Sequence, residues 1–392
     1  MSQNATNPGV KAFGQQVLVL QGGGALGAYQ VGVYQALDQA GIDLDWVVGT
    51  SIGAINAAII AGSPRSERLE RLSAFWKRVE HGRVFEGLLP SQLSSPLRNW
   101  LAMSTGITGF FKPNASAFLS PLLALTREGA GYYSIEPLRR TLSDLIDFNL
   151  VNAGPTRLTV GAANVRTSEM VYFDSRVATL DIRHVLASGA LPPAFPAVEI
   201  DGQHYWDGGI LSNTPVEVVF DDNPRRDSMV YAVHVWNSEG DVPQTMRDVE
   251  NRRKEIQYSS RAVSHIVRQR QLHRLRHVIT ELANLLPAEQ RAESGIRALA
   301  GFGCRTRMHV IRLLAPRLID EDQSKDLDFS PSGIRQRWEA GYAHTMRTLE
   351  SAPWLKEFDP LEGFVLHDTM VSERSGGVAG EANRCYSSRP TS

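Results

Sequence analysis

Three short clusters of residues carry types and spacings suited to nucleophilic chemistry. Gly49-Thr50-Ser51-Ile52-Gly53 reads G-x-S-x-G. A serine in that pattern can project its hydroxyl from a sharp strand-to-helix turn, and the glycines two positions to either side, Gly49 and Gly53, let neighbouring backbone approach closely. The N-terminus of a following helix favours developing negative charge. Gly22-Gly23-Gly24-Ala25-Leu26-Gly27 lies upstream. Consecutive glycine amides can point at one oxygen without obstruction from side chains, so Gly22, Gly23, Gly24 and Gly27 are candidates for an oxyanion hole. Losing one such donor typically costs about 3–4 kcal/mol of transition-state stabilisation. Asp207-Gly208-Gly209 follows His204-Tyr205-Trp206 and puts a carboxylate at the head of a tight turn. A serine hydroxyl is a weak nucleophile until a base takes its proton, and Asp207 is the candidate base.

Two other readings compete for these residues. The glycine run satisfies G-x-G-x-x-G, the pattern of a dinucleotide-binding turn. That fold wants an acidic residue at the end of the second strand. Here that strand ends at Gly49-Thr50-Ser51, with Asp43 and Asp45 before it, so the oxyanion reading is preferred. A serine hydrolase of the Ser, Asp, His order is the second alternative. Ser51, Asp207 and His234 satisfy the order, but His234 lies in Val233-His234-Val235-Trp236, inside an apolar strand pattern. His234, and His309 in Met308-His309-Val310, read as strand-packing histidines. His184, near the start of a helical segment, has no stronger claim.

The elements that must position these groups follow an alternating order. Val17–Leu20 has the length and apolarity of a strand and stops at the glycine run. A helical pattern covers Ala25–Ala40, with Val31, Tyr34 and Leu37 on one face and Gly41 as its stop. Trp46–Val48 reads as a second strand and Ala54–Ala61 as a small-residue helix. Ser63 is placed to cap a further helix, with Pro64 in its first position and Leu69, Leu72, Phe75, Trp76 and Val79 on its apolar face. Strand, turn and helix in repetition is the grammar of a parallel α/β sheet. Leu158–Val165, Met170–Phe173, Met229–Trp236 and Met308–Leu314 are additional strand candidates. Ile182–Leu186, 251–285 and 334–350 are helical.

Taken in chain order, Gln21–Gly27, Gly49–Gly53 and Asp207–Gly209 resemble the patatin-like phospholipases. The flanking stretches Ala187–Pro193 and Asp207–Pro215 are similar as well. The resemblance covers roughly residues 15–220 and is specific in the combination of its motifs. It implies a three-layer α/β/α sandwich with a mainly parallel central sheet and a Ser–Asp dyad, with Ser51 as nucleophile and Asp207 as general base. The amides around Gly23 and Gly24 would hold the oxyanion. The implied activity is lipid acyl hydrolysis through an acyl-enzyme, with no cofactor and no metal. Many members carry Lys or Arg where this chain has Leu26, which favours ester hydrolysis in general over a fixed preference for phospholipid. A carboxylesterase or a polyhydroxyalkanoate-type depolymerase on the same dyad is the alternative within enzymes, and a catalytically idle lipid-surface binding protein the alternative outside them.

This organises the chain as a flexible lead-in at 1–14, a catalytic domain at 15–220 with an insertion or lid at 82–131, a mostly helical C-terminal extension at 221–370, and a disordered tail at 371–392. The lid stretch carries Trp100, Phe110 and Phe111. The chain has 392 residues, a hydrophobic share of 42% and a formal net charge of −1, so no global field favours nucleic acid. The two cysteines, Cys304 and Cys385, lack CxxC partners and a His at metal spacing, so no disulfide framework or zinc site is suggested. No apolar leader and no membrane-length apolar run is present, and the expected location is cytoplasmic. Residues 251–277 carry Arg252, Arg253, Lys254, Arg261, Arg268, Arg270, Arg274 and Arg276 against Glu255. A basic helix of this kind can lie on an anionic lipid surface. A solvated face packed on the main domain is the preferred reading, and peripheral membrane contact the alternative. Oligomeric state is not legible.

Overall fold

The structure, a computed structural model, describes residues 13–81, 106–107, 109–119, 129–318, 321, 324–359 and 361–369. Most of the lead-in, much of the 82–131 stretch with Trp100, and the tail with Cys385 lie outside the described residues.

The order read from sequence is observed. Strand β1 (Gln15–Leu20) leads through a 3-10 turn, Gly24–Gly27, into α1 (Ala28–Gln39), and β2 (Trp46–Thr50) leads directly into α2 (Ile52–Ala61). Helix α3 (Arg68–Val79) follows. A short pair, β3 (Lys112–Pro113) and β4 (Tyr133–Ser134), stands apart from the main sheet. The remaining strands are β5 (Arg157–Asn164), β6 (Met170–Asp174), β7 (Val198–Ile200), β8 (Gln203–Asp207), β9 (Ser228–His234), β10 (Met308–Leu314) and β11 (Phe364–Asp368). They join β1 and β2 in a nine-stranded sheet of order β11-β10-β9-β1-β2-β5-β8-β7, with β6 also on β5. The pairs from β11 across to β5 are parallel, and β6, β7 and β8 add antiparallel pairs. The strands after residue 220 therefore extend the same sheet that holds the glycine run and Ser51, alongside the helices Met246–Leu285 and Pro331–Ser351.

Alternation along β1 and β2 builds the three layers, because successive strand residues point to opposite faces. Leu18, Leu20 and Val47 pack into the larger core with α1, α2 and α3 residues such as Val33, Ile55 and Phe75. Val17, Val19, Trp46 and Val48 face the other way, against Val219 and Phe220 of the short helix Glu217–Phe220 and Ile266 of the long helix Met246–Leu285. A parallel sheet covered on both faces explains why its strands read as unbroken apolar runs. The expected cap at Ser63 is corrected. A 3-10 turn, Arg65–Glu67, intervenes before α3, Pro64 rather than Ser63 flanks it, and no side chain caps it. The Ser63 hydroxyl is buried without a hydrogen-bond partner among the described residues.

The C-terminal segments are locked to the core by polar contacts as well as by strands. Trp338 donates to Gln35 of α1 at 2.6 Å and the Tyr29 hydroxyl meets His344 Nδ1 at 2.6 Å. On the long helix, the Glu255 side chain is 2% exposed and receives Lys325 at 2.8 Å, Arg317 at 3.1 Å and Arg252 at 3.3 Å. Removing one partner from a buried ion pair leaves an uncompensated charge, at about 3–5 kcal/mol. Glu255→Gln is expected to lose stability of that order in urea unfolding, and a change below about 1 kcal/mol would show that the cluster is dispensable.

Candidate active site

Every motif identified in the sequence converges on one end of the sheet. The glycine run leaves β1, Ser51 leaves β2 and Trp236 follows β9, all at the C-terminal ends of parallel strands, where open α/β sheets place their binding crevices. Ser51 has φ 56° and ψ −127°, a conformation that is strained for any residue with a side chain. The turn is held from below. Gly49 and Gly53 approach so closely that a Cβ on Gly49 would stand 2.3 Å from the Gly53 carbonyl oxygen, and one on Gly53 would stand 2.2 Å from the Leu20 oxygen. The Ser51 amide donates to the Ser188 carbonyl at 3.2 Å and to its hydroxyl oxygen at 3.1 Å.

Asp207 ends β8 and is 2% exposed. Its carboxylate accepts the Gly209 amide at 2.7 Å and has the Ser51 hydroxyl beside it. Burial raises the carboxyl from 3.8 to about 7, and the nearby Ser51 hydroxyl and Gly209 amide oppose the rise without cancelling it. An aspartate that titrates near neutrality is a much better base than one in water. Gly208 contributes its carbonyl, which accepts the Leu211 and Ser212 amides and closes the turn.

The glycine run offers fewer free amides than the sequence implied. The Gly22 amide already donates to the Asn213 carbonyl at 3.1 Å, so it has no hydrogen to offer a substrate. Gly27 sits in the 3-10 turn with its carbonyl accepting Asn56, and a Cβ there would meet Ile52 at 2.7 Å, so it serves packing rather than the cavity. Gly23 and Gly24 remain, both at the cavity wall beside Ser51. Gly24 has φ +55°, a conformation that side chains rarely adopt.

A mesh of hydrogen bonds fixes this loop. Gln21 Oε1 accepts the Val235 and Trp236 amides at 2.6 and 3.0 Å, and Gln21 Nε2 donates to Thr214 at 2.7 Å. The Gly22 carbonyl accepts Trp236 Nε1 at 2.8 Å and Asn213 Nδ2 at 3.1 Å. These bonds explain why β9 stops at His234, two residues short of the strand read from sequence: the next two amides turn away to Gln21. The Tyr258 carbonyl, on the long helix, accepts Gln21 and Asn213 side chains at 3.3 and 3.2 Å.

Above Ser51 and Asp207 lies a cavity of about 130 Å³. Its apolar wall includes Ile55, Phe110, Phe111, Tyr133, Phe195 and Phe329. Sequence reasoning missed the contribution from beyond residue 240, where Tyr258, Asp326, Leu327 and Phe329 line the same space. No motif marks them. The signal within reach was Trp236, an aromatic residue just past a parallel strand.

The histidines are elsewhere. His234 is buried in β9, burial pushes its imidazole down to about 3, and its Nε2 has no partner among the described residues. A neutral core histidine fits those facts better than a triad base. His309 pairs with His367 at 2.9 Å between β10 and β11, and His184 closes a capping box with Asp181. Of the basic run, Lys254 is held by Asp326 at 2.8 Å and Arg252 by Glu255, while Arg253, Arg268 and Arg274 are exposed. Among the described residues no helix is long and apolar enough to cross a membrane.

A family model described as patatin-like phospholipase matches residues 18–220, and a second, described as patatin phospholipase, matches 256–361. The patatin-like phospholipase domain-containing protein ZK370.4 of Caenorhabditis elegans is 28% identical over 203 residues, 52% of this chain and 12% of that protein. Lysophospholipase nte1 of Aspergillus terreus is 61% identical over 44 residues, 11% of this chain and 3% of that protein. The chain thus matches only a small part of the length of these relatives. The crystal structure of VipD from Legionella pneumophila aligns with 15% identity and a TM-score of 0.38, over 86% of this chain and 67% of that one.

The raised Asp207 carboxyl has a consequence for stability. Its folded pKa lies above its unfolded value, so folding favours the protonated form; this contribution is fully present below pH 4 and is lost as pH rises through about 7. Asp207→Asn removes the charge. It is expected to be more stable than wild type at pH 8 by a few kcal/mol, with the advantage shrinking as pH falls from 7 toward 4. Equal melting temperatures at pH 8 would show that the carboxylate is not sealed from water.

Proposed function

Since the chain belongs to the patatin-like phospholipase family, whose model spans residues 18–220, we propose that it is a serine lipid acyl hydrolase working through a Ser51–Asp207 dyad. The observation that carries this reading is Ser51, on its strained turn, lining one aromatic-walled cavity together with the buried Asp207 carboxylate. Asp207 takes the Ser51 proton as Oγ bonds to the ester carbonyl carbon. The carbonyl oxygen gathers negative charge between the Gly23 and Gly24 amides, where fixed dipoles need no reorganisation. The carbon–oxygen ester bond then breaks, and the alcohol leaves with the proton that Asp207 holds. Water adds to the acyl-enzyme, giving its proton to Asp207, and Ser51 recovers its hydrogen as the acid departs. The aromatic wall supports an acyl chain as the group that fills the cavity.

The reading extends to a peripheral lipid contact. Ile256, Val267, Leu275 and Leu282 of the long helix are 50–59% exposed, on a face shared with exposed Arg253, Arg268 and Arg274. Apolar residues interleaved with cations suit an anionic bilayer surface of the cytoplasmic kind.

The test compares p-nitrophenyl esters of graded chain length and phospholipid vesicles as substrates. Ser51→Ala and Asp207→Asn are expected to lose on the order of 10³-fold or more in kcat/KM, while His234→Ala continues to turn over. An inactive but folded His234→Ala would replace the dyad with a triad. Vesicle binding without any cleavage by wild type would replace the hydrolase with a lipid-binding protein. For the active enzyme, kcat/KM is expected to rise with pH up to about 7 and then level, because the base works only when ionised.

A further inference from the structure

The cavity over Ser51 has two chemically different walls. Phe110, Phe111, Tyr133, Phe195 and Phe329 touch one another ring to ring, with centroids 4.8–6.4 Å apart. Trp236 and Tyr258 form a separate pair, 5.1 Å apart and tilted by 30°. Most polar groups around the second pair are already committed. Trp236 Nε1 donates to the Gly22 carbonyl, and Asn213 Nδ2 donates to the Gly22 and Tyr258 carbonyls. Tyr258 and Asp326 line the cavity as well, and among the described residues no hydrogen bond engages the Tyr258 hydroxyl.

Both are held in place. Tyr258 is fixed at its main chain by Gln21 and Asn213 and at its ring by Trp236. Asp326 is gripped by Lys254 at 2.8 and 3.0 Å, and its backbone oxygen lies 2.3 Å from where a Gly24 Cβ would stand. Next to it, Lys325 is buried against Glu255 and lies 5.6 Å from the Trp236 ring centroid. Burial and the nearby charges of Asp207 and Asp326 raise the Tyr258 phenol, which therefore stays protonated as a donor. The Asp326 carboxylate, with about four lone-pair directions, can accept further hydrogen bonds beside its pairing with Lys254.

An ester diverges from its carbonyl carbon into an acyl half and an alcohol half. The aromatic wall suits the first. We propose that Tyr258 and Asp326 form a subsite for the second, selecting an alcohol that carries free hydroxyl groups, of the glycerol type. Tyr258 donates to a hydroxyl oxygen and Asp326 accepts a hydroxyl hydrogen. This assignment rests on the hydrolase reading for its catalytic meaning, but the subsite can be measured by binding alone. Both residues belong to the segment after residue 240, so that segment supplies alcohol selectivity to a dyad supplied by the first 220 residues.

The experiment uses full-length Ser51→Ala protein, with calorimetric titration of a monoacylglycerol and of the butyl ester of the same fatty acid. The monoacylglycerol is expected to bind more tightly. Adding Tyr258→Phe, or Asp326→Asn, is expected to reduce that preference roughly three- to tenfold, the range for loss of one hydrogen bond. Tyr258→Phe keeps the ring stacking and the main-chain acceptor, so it decides the matter if Asp326→Asn loosens its loop. Equal binding of the two ligands by the parent, or an unchanged preference in Tyr258→Phe, overturns the subsite. In the Ser51-intact enzyme the ratio of kcat/KM for the two esters should fall in the same variants. If the binding preference responds but neither ester is cleaved, the subsite stands and the hydrolase reading fails.

Discussion

A carboxylate buried with few hydrogen-bond donors is costly to fold around, and the architecture near Asp207 reflects that cost. The group sits at the end of a short antiparallel strand, its amide tied to Ala190 at 2.9 Å, with the Gly209 amide donating at 2.7 Å and the Ser51 hydroxyl alongside. Desolvation is what raises the acid above its ordinary range. It also demands that nothing nearby be free to shift, since a water molecule at the carboxylate would return it toward its ordinary range. The strained turn at Ser51 is the counterpart of this demand. It is tolerable because β2, α2 and the Ser188 hydrogen bonds over-determine it.

That rigidity is shared among segments far apart in the chain. Gln21, Asn213, Trp236 and Tyr258 exchange hydrogen bonds and stacking within one mesh, and the mesh holds the glycine carbonyl whose neighbours would face the oxyanion. Here the first 220 residues and the remainder meet through main-chain acceptors as well as side chains. The second family model, at 256–361, begins inside this mesh. The Glu255 cluster performs the same service one turn earlier on the helix, seating Lys325 and with it the loop that borders Gly24.

Much of this was legible from the chain alone, for identifiable reasons. A parallel sheet buries its strands on both faces, so β1 and β2 show as apolar runs, and the glycines that follow mark tight turns that few other residues could make. Ser51 and Asp207 stood out because their flanking glycines are part of the geometry. Gly22 and Gly27 were over-read, because a glycine run does not reveal which of its amides is already bonded. Ser63 was misplaced because a serine before a proline looks like a cap even when a 3-10 turn intervenes. Tyr258 and Asp326 were invisible: they reach the cavity through tertiary packing, and a tyrosine and an aspartate in helical and loop segments carry no local mark of it. The end of β9 was overrun for a similar reason, since Gln21, over two hundred residues away, draws off its last amides.

The position of β1 in the sheet carries a consequence for how the chain comes into being. It lies between β2 and β9, in full register with Ser228–Val233 on one side. During synthesis from the N-terminus, β1, α1, β2 and α2 emerge early, but the partner for the other edge of β1 emerges only some two hundred residues later. Until then β1, apolar over Val17–Leu20, presents unpaired amides and carbonyls on that edge, the kind of edge that recruits other chains. The nascent chain therefore carries β1 half paired until Ser228–His234 has emerged.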